Sequence, residues 1–356
     1  MSARYIQIAD VLRAEAIHML RKGEKRFPTE SEIATRFDVS RQTVRNALEL
    51  LEEEGLIERI QGSGSYIKEI VRKSSDSGQI AIITTFIDDY IFPSILHDAQ
   101  HIFSSNGYTI LLYATGNSVR RESEILRSLL QQDVRAIIIE GSKTSLPTPN
   151  AFLFEEFRKK DIPVLFFHGT YMNLEGYPYA IDDNEGGGRL LADYLISKGH
   201  RNIGGIFKSD DMQGPLRYSG VVAALAERNM SFSDTSFCWY ETEIRKDLLE
   251  SENTSFIERC IRDWLRDCSA IVCYNDEIAY TLIRNLISKG IDVPSEIAVV
   301  SFDNSLYSRI EPIPITSLGH VQRMGEVISG MILDILSGKE AESRKLGWVI
   351  NERKSS

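Results

Sequence analysis

The run PTESEIATRFDVSRQTVRNALELLEEEGLIERIQGSGSYI, residues 28–67, decides how the first part of the chain is read. Thr29 and Glu32 have capping-box spacing: the hydroxyl is placed to accept from the Glu32 backbone while the carboxylate reaches back to the cap. That helix is short, because Phe37-Asp38-Val39 makes a turn. Ser40 then caps a second helix with Val44, Leu48 and Leu51 on its apolar face and a stop at Gly55. Two short helices joined by a tight turn form a helix-turn-helix. Beyond it, LIERI and SYIKEI alternate in strand fashion around Gln61-Gly62-Ser63-Gly64, which predicts a hairpin with a glycine-rich tip. Upstream, Tyr5, Ile8, Leu12 and Ala16 recur at helical spacing, ending near Gly23. The sum is a small α+β winged helix-turn-helix.

The chemistry suits DNA. The first turn of the Ser40-capped helix presents Arg41, Gln42, Thr43 and Arg45. Arginine pairs bidentately with guanine, glutamine with adenine, and threonine meets a phosphate or a thymine methyl. Glycines at the tip (Gly62, Gly64) let backbone approach the sugar-phosphate wall, with Gln61 placed at a minor-groove edge. Arg4 is a further phosphate candidate at the N-terminal edge. By pattern alone, the same run also describes any small helical subdomain. Glu52-Glu53-Glu54 reads as a solvated face turned away from DNA.

Working outward, the whole chain of 356 residues holds 41 Lys and Arg against 51 Asp and Glu, a net charge of −10. Residues 1–75 hold 13 basic and 12 acidic groups, so the acidity belongs to the remainder, at −11. The boundary KEIVRKSSDSGQI is small and polar at its centre, as a solvated linker is. The expected division is 1–69, a linker 70–78, and 79–356. The 42% hydrophobic and 26% charged content is that of a globular protein and excludes disorder, collagen and a disulfide scaffold. No stretch approaches the ~18 apolar residues of a membrane span, and the opening residues lack an apolar signal region. The four cysteines, Cys238, Cys260, Cys268 and Cys273, show no CxxC spacing. They read as reduced core thiols of a cytoplasmic protein.

After Gln79, continuously apolar runs alternate with helical segments near 93–106, 121–132 and 150–160. One series of runs is 80–86, 109–115, 136–141 and 163–169. A second is 179–182, 202–207, 270–275 and 297–302. Such alternation indicates parallel sheets covered on both faces, here two α/β lobes with ligand at the strand ends. No Walker loop, GxGxxG after a strand or GxSxG elbow is present. Gly186-Gly187-Gly188 reads as a close-packing surface. His97 and His101 have i, i+4 spacing but no third ligand, and read as a wet helix face; no metal is expected. Polar groups follow the strand ends: Asp88, Asp89 and Tyr90, Glu140 and Lys143, His168, Asp182 and Asp183, Asn275 and Asp276, and Asp303. Converging carboxylates and amides match a polyhydroxylated sugar. Taken singly, Asp183 and Asp276 also fit as helix caps.

The SRxTVRxAL core and the GLIxRxxGxGxxI wing resemble the DNA-binding domain of the GntR family. That resemblance places Arg41, Gln42, Thr43 and Arg45 on the recognition helix, and Gln61, Gly62 and Gly64 on the wing. YAIDDNEGGGRLLADYLISKGHRNIGGI, GPLRYSGVVAAL, CYNDEIAYTLI, GIDVPSEIAVVSFDNS and PIPITSL resemble the effector domain of the LacI/GalR family. The main domain is then α/β, a two-lobed, periplasmic-binding-protein-like (type I) fold. The resemblance puts Arg217 on the family's sugar-contacting arginine in RxxG, Asn275 in NDxxA and Asp303 in FDN. Asp182 and Glu140 fall on pocket-lining strand ends, and His320 after PIPITSL joins the effector candidates. Ser301 stands where the family usually has glycine, and Asn304 where Asp is common. The family's usual helix-turn-helix and hinge helix are replaced by the winged head. With TTFIDDYIFPSI, this combination resembles the AraR-like group of arabinose-responsive repressors. It implies a non-enzymatic homodimer that binds double-stranded operator DNA and responds to a sugar, with no cofactor and no membrane partner. A regulator answering to another sugar or a purine, a sugar-binding module, and a sugar-acting enzyme remain alternatives at this stage.

Overall fold

The computed structural model describes residues 26–37, 39–53, 57–60, 64–67 and 78–356, preceded by helical positions at Tyr5, Ile8, Ala9, Val11, Leu12, Glu15 and Met19. Contacts divide the chain into two units, Met1–Ser77 and Gly78–Ser356. The expected helix end at Gly23, the Gly55 stop, the Asp38 turn residue and the polar linker centre lie outside the described residues.

In the first unit, α1 (Glu30–Phe37) opens on the expected capping box. The Glu32 amide donates to Thr29 Oγ1 at 3.3 Å and the Thr29 amide to Glu32 Oε2 at 2.7 Å. The Thr29 amide, and next its hydroxyl at 2.9 Å, donate to the Glu32 carboxylate and hold it below its ordinary value. Ser40 Oγ accepts from the Thr43 amide at 3.2 Å and so starts α2 (Arg41–Glu53). β1 (Ile57–Ile60) and β2 (Gly64–Ile67) pair antiparallel. Ile8, Leu12, Phe27, Ile33, Val44, Leu48, Leu51 and Ile57 share one core.

The second unit is two α/β lobes with matched topology. In the first, β3 (Gln79–Thr84), β4 (Thr109–Ala114), β5 (Val134–Ile139), β6 (Val164–Phe167), β7 (Tyr179–Asp182) and β13 (Arg344–Leu346) make a sheet of order β13-β7-β6-β5-β3-β4. In the second, β8 (Ile203–Lys208), β9 (Phe237–Tyr240), β10 (Ala270–Cys273), β11 (Ala298–Phe302), β12 (Thr316–Gly319) and β14 (Val349–Asn351) make β14-β12-β11-β10-β8-β9. All neighbours are parallel except β12 and β14. Most interior strands are continuously buried because helices cover both faces.

Three findings correct the sequence reading. The run at 179–182 does not begin the second series; it pairs with β6 and belongs to the first lobe. The chain crosses between lobes after it, into α3 (Asn184–Ser197). Strands β9, β12, β13 and β14 were not read as strands, being three or four residues long and lying at or near sheet edges. Asp183 does cap α3, accepting from the Gly186 amide at 3.3 Å. Asn275, however, is the cap at the later site, accepting from Ile278, and Asp276 beside it is a fully buried acceptor.

The triple glycine packs as expected. A Cβ at Gly188 would stand 2.0 Å from the carbonyl oxygen of Arg217 in α4 (Gln213–Glu227), and one at Gly220 would stand 2.0 Å from that of Glu185. The two helices cross with backbones in contact.

The chain crosses between lobes three times: at Asp183, over 319–323, and at 347–348. One knot ties the three together. His320 bonds the Gly347 carbonyl through Nδ1 and the Asp182 carboxylate through Nε2, each at 2.9 Å. Trp348 Nε1 donates to the Asp183 carbonyl at 2.9 Å.

Candidate functional site

The head carries the candidate DNA-contacting side chains on α2. Val44, Ala47, Leu48 and Leu51 face the core, which turns Arg41, Gln42 and Arg45 outward. Thr43 Oγ1 is engaged by Ser40 Oγ at 2.9 Å, and Gln42 Nε2 donates to Asn46 Oδ1 at 2.9 Å. Arg45 pairs with Glu30 of α1 at 3.3 Å, and the same carboxylate receives Arg59 of β1 at 2.6 Å. One acid thus pairs with both the candidate Arg45 and Arg59, a role the sequence reading did not assign. Gly64 opens β2 at φ +117°, backbone that only glycine adopts readily. Arg4, Gln61 and Gly62 lie outside the described residues.

In the body, each sheet has the order 2-1-3-4-5, which puts its crevice between β3 and β5 in one lobe and β8 and β10 in the other. Residues ending those four strands line a cavity of about 50 Å³ between the lobes: Thr85, Glu140, Lys208, Tyr274 and Asn275. Of the candidates from sequence, Tyr90, Glu140, His168, Asp182, Asn275 and Asp303 line it. A pocket for a drug-sized ligand is about 300 Å³ or more, so a ligand of that size enters only when lobes or side chains move.

Most polar side chains of the wall are hydrogen-bonded to one another. Glu140 accepts from the Thr85 amide at 2.8 Å and its hydroxyl at 2.5 Å, and faces His168 Nδ1 at 3.2 Å. Burial opposes a charge on His168, but the Glu140 bond and the nearby carboxylates outweigh it and hold the imidazole pKa above its ordinary value. Tyr90 donates to Asp303 Oδ2 at 2.5 Å. Burial, followed by the Asp303 charge, pushes its phenol far above the usual range, so it stays a donor. Asn275 is divided between capping its helix and donating to Glu277 at 3.2 Å.

Four sequence candidates stand behind or beside this wall. Arg217 is buried, its Nε bonded to Asn184 at 2.9 Å, Nη1 to the Tyr274 carbonyl and Nη2 to Asp303 at 3.3 Å. It also lies 4.2 Å from the Phe302 ring centroid. It braces Tyr274 and Asp303 from outside the lining. His320 lines a neighbouring cavity of about 540 Å³ and serves the knot between crossings. Lys143 reaches Asp210 of the other lobe at 3.5 Å. Asp89 pairs with Arg245 at 2.8 Å.

Sequence reasoning missed Lys208, Asp211, Gln213 and Arg245, all in the lining. Lys208 is buried between Asp210 at 2.9 Å and Asp211 at 2.5 Å. Burial opposes its charge, but those carboxylates raise its pKa overall. Gln213 donates to Asp182 at 2.8 Å and accepts from Tyr274 at 2.8 Å. Lys208 closes the apolar run IGGIFK, so the strand-end rule used for the acids points to it. Arg245 sits within a helix (Thr242–Glu250) whose sequence carries no motif. Its guanidinium lies 4.2 Å from the Phe86 ring centroid and holds Glu277 at 2.7 Å.

Among the described residues no helix is long and apolar enough to cross a membrane, and no group of three or more His, Cys, Asp or Glu is placed to hold a metal. The four cysteines are free and buried.

The winged head and two-lobed body define a class: transcriptional regulators that couple a GntR-type DNA-binding domain to a periplasmic-binding-protein-like domain. Residues 4–67 match the bacterial regulatory proteins of the gntR family, and residues 192–356 the periplasmic binding protein-like domain. The arabinose metabolism transcriptional repressor of Geobacillus stearothermophilus is 32% identical over 349 residues, 98% of this chain and 94% of that protein. Its counterpart from Halalkalibacterium halodurans is 31% identical over 90% of this chain and 85% of its own length. The body's fold recurs in a LacI-type regulator from Alkaliphilus metalliredigens complexed with D-xylulofuranose. That likeness has a TM-score of 0.66 at 22% identity and covers 79% of this chain and 99% of that one. This chain belongs to the family of arabinose metabolism transcriptional repressors.

Proposed function

We propose that the protein is a cytoplasmic repressor of sugar-utilisation genes whose effector is L-arabinose and which acts without covalent chemistry. The observation that carries this reading is the inter-lobe cavity. Carboxylates from both lobes (Glu140, Asp182, Asp211, Asp303) meet donors from both (Tyr90, His168, Lys208, Gln213) around a space bounded by Phe86 and Phe92. A pentose offers hydroxyls that both donate and accept, with an apolar ring face between them, and this wall has a partner for each.

A homodimer, joined through the bodies, places two winged heads on a two-fold operator, with Arg41, Gln42, Thr43 and Arg45 in the major groove. Sugar favours one arrangement of the lobes and disfavours the head spacing that the operator requires. By linkage, operator DNA weakens sugar binding by the same factor. The polar linker makes the effective concentration of the second head part of this coupling.

The test is a gel shift with the operator and the purified protein, with and without L-arabinose, D-xylose, D-glucose and a purine. Release by arabinose alone is the expected result. Tightening by the purine, or turnover of any of the sugars, would replace this reading with another class.

A further inference from the structure

We propose that Asn117 is a clasp between the lobes which sets how readily the cleft opens and closes, without touching what the cleft holds. The proposal rests on the reading of the cleft as the effector site. Asn117 follows β4 in the first lobe, is 2% exposed, and adopts φ +58°. Its two ends face different lobes. Oδ1 accepts from the Lys143 amide, in its own lobe, at 2.7 Å. Nδ2 turns to the second lobe, where it meets Thr242 Oγ1 at 2.6 Å, Asp211 Oδ1 at 3.2 Å and Asp210 Oδ2 at 3.3 Å. The Lys143 amide, which can only donate, fixes which end is oxygen.

The receiving site is built mainly on the second lobe, with the Lys143 ammonium reaching Asp210 from the first at 3.5 Å. Asp210 Oδ2 accepts from the Thr242 amide at 3.1 Å and its hydroxyl at 2.8 Å. Lys208 supplies the positive charge between the two aspartates. Asn117 therefore inserts a neutral donor into an assembled acceptor nest, and nearby the Thr144 hydroxyl accepts from the Met212 amide across the same seam at 3.0 Å. Asn117, Asp210 and Thr242 are not part of the cavity lining. Altering this contact changes the relation of the lobes and removes no side chain from the lining, of which Asn117 touches only Asp211.

Charge makes the contact testable without changing its size. Asn117→Asp replaces the donating group with an acceptor that faces two carboxylates, a repulsion relieved when the lobes part. Pairing Asn117→Asp with Asp210→Asn gives the new carboxylate a donor and leaves only Asp211 opposed to it. The full-length protein, dye-labelled at one surface position on each lobe, gives the inter-lobe distance by energy transfer. Calorimetry gives L-arabinose affinity, and thermal melting reports the folding of the lobes.

We expect Asn117→Asp to lengthen the inter-lobe distance in the absence of ligand. It should also lower sugar affinity on the order of tenfold, with the melting temperature little changed and both effects partly reversed in the double variant. An unchanged distance in Asn117→Asp overturns the clasp. So does a fall in melting temperature and affinity that the swap does not restore, which marks a structural role. Failure of the effector reading looks different: the wild type binds no sugar at all, while the ligand-free distance still decides the clasp.

Discussion

The imidazole of His320 lies stacked on the indole of Trp348, ring centroids 3.7 Å apart, so two of the three passages between lobes are joined face to face. The third passage is tied in by Asp182. Its carboxylate and the imidazole favour each other's charge: burial opposes both, yet the shared bond and opposite charges hold His320 above and Asp182 below their ordinary values.

The first prediction concerns this knot. A histidine held above its ordinary value contributes stability that is complete below about pH 6.5 and lost as pH rises through the raised value. Melting of the wild type is expected to weaken across that window. His320→Gln should flatten the decline and remove about 1.5–3 kcal/mol, the usual worth of a bond to a charged group. A pH profile unchanged by the substitution would show that the knot is not the titrating group.

Asp276 makes a second pH step. Burial first, and the Asp303 charge next, raise its carboxyl to about 7, although it accepts from Ser317 Oγ and the Ser305 amide at 2.6 Å each. The folded state then holds a proton that the unfolded state releases near pH 4, so stability declines from there up to about 7. Asp276→Asn is expected to remove that decline in denaturant titrations run at several pH values.

Arg217→Ala leaves Asp303 without its cation in a buried site and strips the brace from Tyr274. Removing one partner of a buried pair typically costs about 3–5 kcal/mol. Chemical denaturation should show a loss of that order in the body. A variant of wild-type stability would return Arg217 to the role of a simple sugar contact.

Gly188→Ala places a methyl 2.0 Å from a helix backbone carbonyl. Overpacking costs about 1–3 kcal/mol where side chains can yield, and a backbone yields less. Loss of soluble, sugar-responsive protein is expected, with the isolated head still folded. Normal expression and melting would mean that the two helices can separate.

In the head, Arg45→Ala is expected to weaken operator binding about tenfold or more and to relax preference at one base position. Glu30→Gln should weaken binding without changing the preferred base, because it loosens Arg45 and Arg59 while removing no reading group. Gel shifts against operator variants separate the two outcomes.

Much of this was legible in the sequence because local signals and tertiary fold agree. The Thr29–Glu32 box, the Ser40 cap and the buried runs at 80–84, 134–139 and 298–302 are local patterns with one good solution each. What sequence did not reveal depends on distance. Nothing in YAID says which sheet it joins, since a buried strand looks alike in either lobe. FCWY and TSLG are too short to show a period. Asp276 looks like a cap from its neighbours, and only Ser301, Ser305 and Ser317, distant in sequence, make it a buried acceptor. Arg217 carries the family's motif, yet its neighbours place it behind the wall. Of the donors of the second lobe, Gln213 stands just before the motif GPLRYSGVVAAL, and Arg245 comes from a segment whose only signal is three-dimensional.

The three passages of the chain also govern the order in which the molecule can assemble during synthesis. The first lobe lacks the helix Met324–Leu336 and edge strand β13 until the chain has returned from the second, and the second awaits β14. Neither lobe can close its core while the last few dozen residues remain in the ribosome. The winged head, complete by residue 67, is under no such constraint. A nascent chain therefore carries a finished DNA-reading unit well before it carries a finished sugar receptor, and truncated products should behave as heads without a regulator.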